Sequence, residues 1–168
     1  LFYYPLSILM LAKIKDILII VNKGQVEQFK KILPHGKNLG IKITYAEQEK
    51  PRGLPDAFIV GEKFIGNNSV ALILGDNFFF EQNFGQKLIK STKLTSGAKV
   101  FLHPVKDPSQ YGVATIDKKN NITNITEKPK KSKSSLAVTG LYFFDNKVVR
   151  YSKLLRPSLR KEIEIVDL

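Results

Sequence analysis

The sequence predicts an α/β fold whose central sheet is Rossmann-like, mostly parallel and flanked by helices, with a smaller antiparallel lobe. Three observations predict it. Residues 70–74 form a continuous apolar run that ends in Gly-Asp-Asn, which is typical of a strand buried on both faces. Strand and helix patterns alternate through the first half of the chain. Four strand patterns separated by turns fill most of the second half.

The first half of the chain is predicted to contain helices and strands in alternation. Pro5 stands in the first turn of the first helix, where its missing N–H leaves no hydrogen bond unmade. The other helices show apolar residues recurring on one face, and Pro34 and Gly36 close one of them. The predicted helices cover residues 5–14, 24–33, 54–61 and 83–93, and the predicted strands cover 16–21, 41–47 and 70–75.

The second half is predicted to be richer in strands. These strands cover residues 98–105, 111–117, 122–127 and 136–144, and a short helix covers 147–155. The acidic segment 162–167 looks like the opening of another helix, because carboxylates suit a helix N-terminus. No internal repeat or linker divides the chain, so residues 1–168 are interpreted as one domain. Leu1 lacks a lead-in and Leu168 follows the acidic opening, so we expect an incomplete domain truncated at both ends.

The composition is that of an ordinary globular protein, with 43% hydrophobic and 25% charged residues. The absence of cysteine excludes disulfides, a thiolate nucleophile and a cysteine-based zinc site. No apolar run is long enough to cross a bilayer, so we expect no membrane partner and a cytoplasmic location.

The net charge of +12 raises the possibility of a nucleic-acid partner. However, arginine, the residue typical of base and phosphate recognition, occurs only at positions 52, 150, 156 and 160. The densest basic stretch, residues 128–133, contains Pro and Ser and no aromatic residue. We therefore expect a solvated lysine surface and no nucleic-acid partner, with a basic nucleic-acid binder as the alternative.

Two carboxylates are candidate metal ligands. Asp76 follows the buried strand and stands at the carboxyl edge of the sheet, where α/β proteins bind ligands. Asp167 lies in the acidic segment, and the two could converge on Mg²⁺, which needs only one or two protein carboxylates. The alternatives are that Asp76 and Asn77 merely start a turn, and that Asp167 only begins a helix.

Two further segments carry potential binding chemistry. In the loop 48–54, Gly53 would let the backbone approach a flat ligand, and the Gln48 amide can donate and accept hydrogen bonds. In the second half, Glu127 could hold sugar hydroxyls and Lys128 could neutralise a phosphate. Tyr111-Gly112 and residues 140–142 stand on neighbouring strands. The alternatives are an ordinary Pro-Gly loop and an exposed strand end.

Taken in chain order, these segments resemble the glucose-1-phosphate thymidylyltransferases, sugar nucleotidyltransferases that make dTDP-glucose for deoxysugar and surface-polysaccharide synthesis. The resemblance covers essentially the whole chain and rests on collinear motifs. They are FYYPLSILMLA, DILII, Q-x-x-P-x-G-L-x-x-A-F-I-x-G-E-x-F-I, ALILGDN, DPSQYGV, EKP, AVTGLYFFD and E-I-x-D.

The resemblance implies a reaction and a role for each matching residue. The enzyme would transfer a thymidylyl group from dTTP to glucose 1-phosphate with Mg²⁺ as cofactor, the antiparallel lobe would bind the sugar, and the full-length protein would be a homotetramer. The implied nucleotide-binding residues are Gln48, Gly53, Leu54 and Asp76, and the metal ligands are Asp76 and Asp167. Tyr111, Gly112, Glu127 and Val138 would line the glucose site, and Lys128 would pair with the sugar phosphate as the catalytic residue.

The chain also departs from the family pattern. The glycine-rich loop G-G-x-G-T-R-L and the region after the second metal aspartate are missing, and Val166 stands where Thr is usual. The resemblance therefore implies a sheet without its first strand, a dTTP site without its phosphate cradle, and little turnover by this chain alone. A related uridylyl-, cytidylyl- or guanylyltransferase and a non-catalytic sugar-phosphate-binding remnant remain alternatives.

Overall fold

The computed structural model describes residues 1–158 and 160–168, and within them helices and strands alternate as predicted. The helices are α1 Tyr3–Leu11, α2 Val26–Ile32, α3 Asp56–Val60, α4 Glu62–Ile65, α5 Phe84–Ser91 and α6 Lys147–Leu154. The strands are β1 Asp16–Asn22, β2 Lys42–Gln48, β3 Val70–Ile73, β4 Ala98–Pro104, β5 Gly112–Ile116, β6 Ile122–Glu127 and β7 Leu136–Phe144.

The strands form a parallel pair and a larger antiparallel sheet, which confirms the mixed α/β class. Strands β1 and β2 pair in parallel. In the five-stranded sheet, β7 pairs antiparallel with β4 along its length, with β5 at its start and with β3 at its end, and β6 lies beyond β5. The parallel part is smaller than expected, because β3 joins the antiparallel sheet. An apolar run reports burial on both faces, which is usual in parallel sheets but also occurs where an antiparallel strand is covered on both sides.

A cavity of about 530 Å³ separates the two sheets. It is lined on one side by β1 residues such as Leu18 and Ile20, and on the other by β3 residues such as Val70 and Leu72. Among the described residues, β1 pairs only with β2 and β3 only with β7, so the edges of both strands that face the cavity are unpaired. What the sequence predicted as one sheet is therefore divided here.

The hydrophobic core is arranged around β7. Leu141 and Phe143 pack on one side with Leu88 of α5 and with α1. The alternate residues Tyr142 and Phe144 pack on the other side with α3 and α6. Side chains of successive strand residues point to opposite faces, so β7 is buried on both and holds the layers together. A third cluster joins α1 to β1 and β2.

Two local predictions need qualification. The helix predicted over residues 54–61 is present but shorter, as α3 over Asp56–Val60, and a second short helix, α4, follows it after Gly61. The acidic segment forms a 3₁₀ turn over Ile165–Asp167, and its interpretation as the opening of a longer helix stays a prediction. Along the described residues, no helix combines the length and apolarity needed to span a membrane.

Replacing Leu88 tests the core around β7. Leu88 is 0% exposed, so Leu88→Ala leaves a cavity and should lower the free energy of unfolding by about 3 kcal/mol. Leu154 is 66% exposed, and the control Leu154→Ala should change it by less than about 0.5 kcal/mol. Urea unfolding followed by circular dichroism measures both, and equal effects would contradict this description of the core.

Candidate functional site

A cleft of about 430 Å³ lies between the loop after β2, the β5–β6 pair, β7 and the chain segment 160–166. The structure brings together here all the residues predicted to bind the nucleotide or the sugar phosphate, except Asp76. These residues are Gln48, Gly53, Leu54, Tyr111, Gly112, Glu127, Lys128 and Val138. They come from distant parts of the sequence, so their convergence is a property of the fold.

One wall of the cleft is the loop from β2 to α3. Gln48 is the last residue of β2, and the loop that follows brings its backbone against the segment 160–166. The Ile163 N–H donates to the Arg52 carbonyl at 2.8 Å. Gly53 has φ +108°, and a Cβ atom there would lie 2.1 Å from the Ile163 carbonyl oxygen. Only glycine combines this backbone conformation with such a close approach.

A buried carboxylate stands behind this wall. Asp56, the first residue of α3, is 1% exposed. Its Oδ2 accepts a hydrogen bond of 2.7 Å from Gln48 Nε2, and its Oδ1 lies 2.9 Å from Arg52 Nη2. The ion pair with Arg52 does not complete a hydrogen bond, so Oδ1 has no hydrogen-bond donor among the described residues. Sequence reasoning missed Asp56, because an acidic residue in the first turn of a helix is ordinary capping chemistry.

The opposite wall is the end of the β5–β6 pair. Gly112 of β5 lies opposite Glu127 of β6, and a Cβ atom at Gly112 would lie 3.2 Å from Glu127 Oε2. Lys128 has φ +41°, and its N–H donates to the Tyr111 carbonyl at 2.9 Å. A lysine in this left-handed conformation is strained, and such strain clusters at ligand sites.

Arg160 brings a cation into this part of the cleft. Its Nη1 donates to Glu127 Oε1 at 3.1 Å. The guanidinium also lies 3.5 Å from Glu162 Oε2 and 3.7 Å from Glu164 Oε1. Ser158 Oγ donates to the same Glu164 oxygen at 2.8 Å. The sequence analysis counted Arg160 only among the four arginines, and the available signal was its place two residues before the acidic segment.

Asp76 and Asp167 lie outside the residues that line the cleft. Both are exposed, and Asn77 Nδ2 donates to Asp76 Oδ1 at 2.9 Å. Asn77 Oδ1 in turn accepts the Gly140 N–H at 3.1 Å, so Asn77 fastens the turn after β3 to β7. Within the described chain, no three His, Cys, Asp or Glu residues form a metal-binding group. A site with two carboxylates, as predicted for Mg²⁺, is not tested by that finding and stays a prediction.

Tyr142 of β7 also lines the cleft, and the sequence analysis gave it no specific role. Burial, together with a smaller effect of the nearby Glu127 carboxylate, raises the pKa of its hydroxyl to about 12. The tyrosine is therefore neutral at physiological pH and remains so into alkaline solution.

The comparisons with known proteins agree with this arrangement. The sequence model described as nucleotidyl transferase matches residues 1–168, so the chain belongs to the nucleotidyl transferase family. Within it, the chain is 50% identical to glucose-1-phosphate thymidylyltransferase of Neisseria meningitidis and 45% identical to that of Xanthomonas campestris, each over 166 residues. The resemblance found in the sequence is thus confirmed.

The chain covers only part of these relatives. The alignments include 99% of this chain but 58% of the Neisseria protein and 56% of the Xanthomonas protein. A solved structure of a putative glucose-1-phosphate thymidylyltransferase from Bacillus anthracis, in complex with a sucrose, superposes with a TM-score of 0.87 at 40% identity. That superposition covers 99% of this chain and 67% of the other. A UDP-glucose pyrophosphorylase complexed with UDP-glucose, with a TM-score of 0.82 at 24% identity, shows the same fold.

Replacing Gly53 tests the contact that closes the cleft. Gly53→Ala should cost about 3 kcal/mol of stability, because a strained backbone is combined with a clash at the Ile163 carbonyl. Gly24 also has positive φ, +81°, but has no atom within 4 Å of an added Cβ. Gly24→Ala should therefore cost only about 1 kcal/mol of strain. Urea unfolding compares the two, and equal losses would exclude the clash.

The shifted pKa of Tyr142 predicts a loss of stability in alkali. The folded-state pKa of about 12 lies above the unfolded value of 10.0, so the unfolded state loses its proton first as the pH rises. The contribution of Tyr142 to the free energy of unfolding is fully present below pH 10. It should fall by up to about 1.4 kcal/mol per pH unit between pH 10 and 12. Tyr142→Phe should show a shallower fall in urea titrations at those pH values. Parallel curves for the two proteins would refute the assignment.

Proposed function

We propose that this chain is part of a glucose-1-phosphate thymidylyltransferase, which makes dTDP-glucose and pyrophosphate from dTTP and glucose 1-phosphate. The observation that carries the proposal is one cleft with a glycine loop on one wall and Glu127, Lys128 and Arg160 on the other. Such a cleft offers a flat surface and hydrogen bonds on one side, and carboxylate and cationic groups on the other. The two reactants require those two environments.

The nucleotide is assigned to the loop wall. Gly53 exposes backbone that the thymine ring can approach closely, and Leu54 packs beside it. The Gln48 amide supplies a directional hydrogen bond to the edge of the base.

The sugar phosphate is assigned to the opposite wall. Glu127 accepts hydrogen bonds from glucose hydroxyls, and Tyr111, Gly112 and Val138 surround the ring. Lys128 pairs with the phosphate as a compact point charge. Arg160, which the sequence analysis did not include, is the second cation of this wall and can exchange its carboxylate partners for the incoming phosphate.

In the proposed reaction, a phosphate oxygen of glucose 1-phosphate attacks the α-phosphorus of dTTP in line, and pyrophosphate leaves. No side chain of this protein acts as nucleophile, so catalysis consists of positioning and charge neutralisation. Lys128 and Arg160 hold the attacking phosphate and reduce the repulsion between the two anions. We assign Lys128 as the catalytic residue.

We propose Mg²⁺ as the cofactor, held by Asp76 and Asp167. The donor set fits, because both side chains are exposed carboxylates, the oxygen ligands that Mg²⁺ prefers, and substrate phosphates and water complete its shell. Bound there, the ion would neutralise phosphate charge. Asn77 orients Asp76 by donating a hydrogen bond to its Oδ1.

For the whole protein we propose a cytoplasmic homotetramer that acts in deoxysugar and surface-polysaccharide synthesis and binds neither nucleic acid nor membrane. Support comes from the family resemblance and from a positive charge carried mainly by lysine. A uridylyl-, cytidylyl- or guanylyltransferase would share the cleft and differ at the loop 48–54. A non-catalytic sugar-phosphate-binding remnant would keep only the second wall.

This chain by itself should turn over little, because it spans 58% of its Neisseria relative and matches no glycine-rich phosphate loop. Pyrophosphate release from dTTP, glucose 1-phosphate and Mg²⁺ should stay near background. Normal turnover by the purified chain would contradict this expectation.

Calorimetric titration of the chain with glucose 1-phosphate tests the second wall. Lys128→Ala should weaken binding about tenfold, because a charge-assisted hydrogen bond to phosphate is lost. Lys130 is also an exposed lysine, two positions further along the same loop, and does not line the cleft. Lys130→Ala should change the affinity less than twofold. Unchanged affinity in Lys128→Ala would remove Lys128 from the proposed site.

A further inference from the structure

We infer that Asp56 is a positioning residue that fixes which atom of the Gln48 amide faces the cleft. It thereby selects nucleobases with a ring N–H, thymine and uracil, against cytosine. The inference rests on the proposed function in one respect, that the cleft receives a nucleotide. Nothing in the motifs of the sequence singled out Asp56, which does not line the cleft itself.

The observations that carry the inference are burial and hydrogen bonding. Asp56 is 1% exposed and joins three parts of the site. Its backbone N–H donates to the Gly53 carbonyl at 3.2 Å, its Oδ2 accepts from Gln48 Nε2, and its Oδ1 is paired with Arg52. It therefore ties the end of β2 to the loop and to α3.

These contacts leave the Gln48 amide only one orientation. A carboxylate beside a guanidinium can only accept hydrogen bonds, so Gln48 must turn its NH₂ group towards Asp56. If the amide were flipped, Gln48 Oε1 would take the place of Nε2, which lies 2.7 Å from Asp56 Oδ2. That arrangement would set two acceptors against each other and leave a buried carboxylate oxygen without a donor, which is strongly unfavourable.

Because Gln48 Nε2 is held by Asp56, the position of Gln48 Oε1 is fixed as well. Among the hydrogen bonds of the described residues, none has Gln48 Oε1 as acceptor. Gln48 lines the cleft and its Oε1 is not among the buried atoms without a partner, so this oxygen is available to accept a hydrogen bond from a ligand there. Thymine and uracil carry a proton on N3, whereas cytosine presents a lone pair there and has a donor only on its exocyclic amine. A site that presents a hydrogen-bond acceptor rejects a base that presents an acceptor at the same position, because a polar group buried by the ligand is then left unpaired.

Nucleotide discrimination measures this polarity. By calorimetry with Mg²⁺ present, the chain should bind dTTP and UTP at least tenfold more tightly than CTP. Asp56→Asn should reduce that ratio to about threefold or less, because the neutral amide can donate or accept and lets Gln48 turn over. If the role of Asp56 were merely structural, Asp56→Asn would weaken the binding of all three nucleotides alike and leave the ratio of their affinities unchanged.

Glu47 provides the matched control. It is the neighbouring carboxylate on β2, it does not line the cleft, and its Oε1 accepts the Gly24 N–H at 2.9 Å. Glu47→Gln makes the same change of charge and should retain the full discrimination.

A second measurement needs no ligand. The side-chain amide of Gln48, assigned by NMR from the cross-peaks lost in Gln48→Met, should exchange slowly with water. Exchange should become at least several-fold faster in Asp56→Asn and stay unchanged in Glu47→Gln. Fast exchange in the wild-type chain overturns the inference.

The outcomes separate the two proposals. Discrimination that survives in Asp56→Asn, or equal binding of the three nucleotides by the wild type, overturns the role of Asp56 and leaves the nucleotide cleft standing. Binding of glucose 1-phosphate with no nucleotide binding overturns the proposed transferase and this inference together.

Discussion

The cleft depends on one backbone contact between parts of the chain that are more than a hundred residues apart. The Ile163 N–H bonds to the Arg52 carbonyl, and the Ile163 carbonyl fills the space that a side chain at residue 53 would occupy. Because Gly53 lacks that side chain, the loop after β2 and the acidic segment can form adjoining walls. Without this contact, the residues of the two walls would not enclose a common space.

An arginine ion-paired with carboxylates lies on each side of this backbone contact. On the loop side, Arg52 pairs with the buried Asp56, and on the other side Arg160 pairs with Glu127 and approaches Glu162 and Glu164. Arg160 is the cation shared by these three carboxylates, and Ser158 also holds Glu164. In the proposed function, an incoming phosphate would compete with protein carboxylates for Arg160, whereas Lys128 has no ion-pair partner among the described residues.

The positions of strands and helices could be predicted because hydrophobic periodicity reports burial, and the site residues that converge were implied by the family resemblance of the motifs. The direction of β3 could not be predicted, since residues 70–74 would look the same in either orientation. Asp56 was missed because its partners, Gln48 and Arg52, lie within eight residues and resemble ordinary loop chemistry. Arg160 was missed because its contact with Glu127 exists only after the segment 160–166 folds back on the β5–β6 pair.

The division between β1 and β3 has a consequence for the interior. In each strand, every second peptide group turns towards the missing neighbour instead of the existing one, so its N–H and C=O point into the 530 Å³ cavity. Direct strand pairing therefore does not join the two sheets within the described residues. Helix α1 joins them instead, because Leu6 lies in one hydrophobic cluster with Ile17 of β1 and Ile8 lies in another with Leu141 of β7.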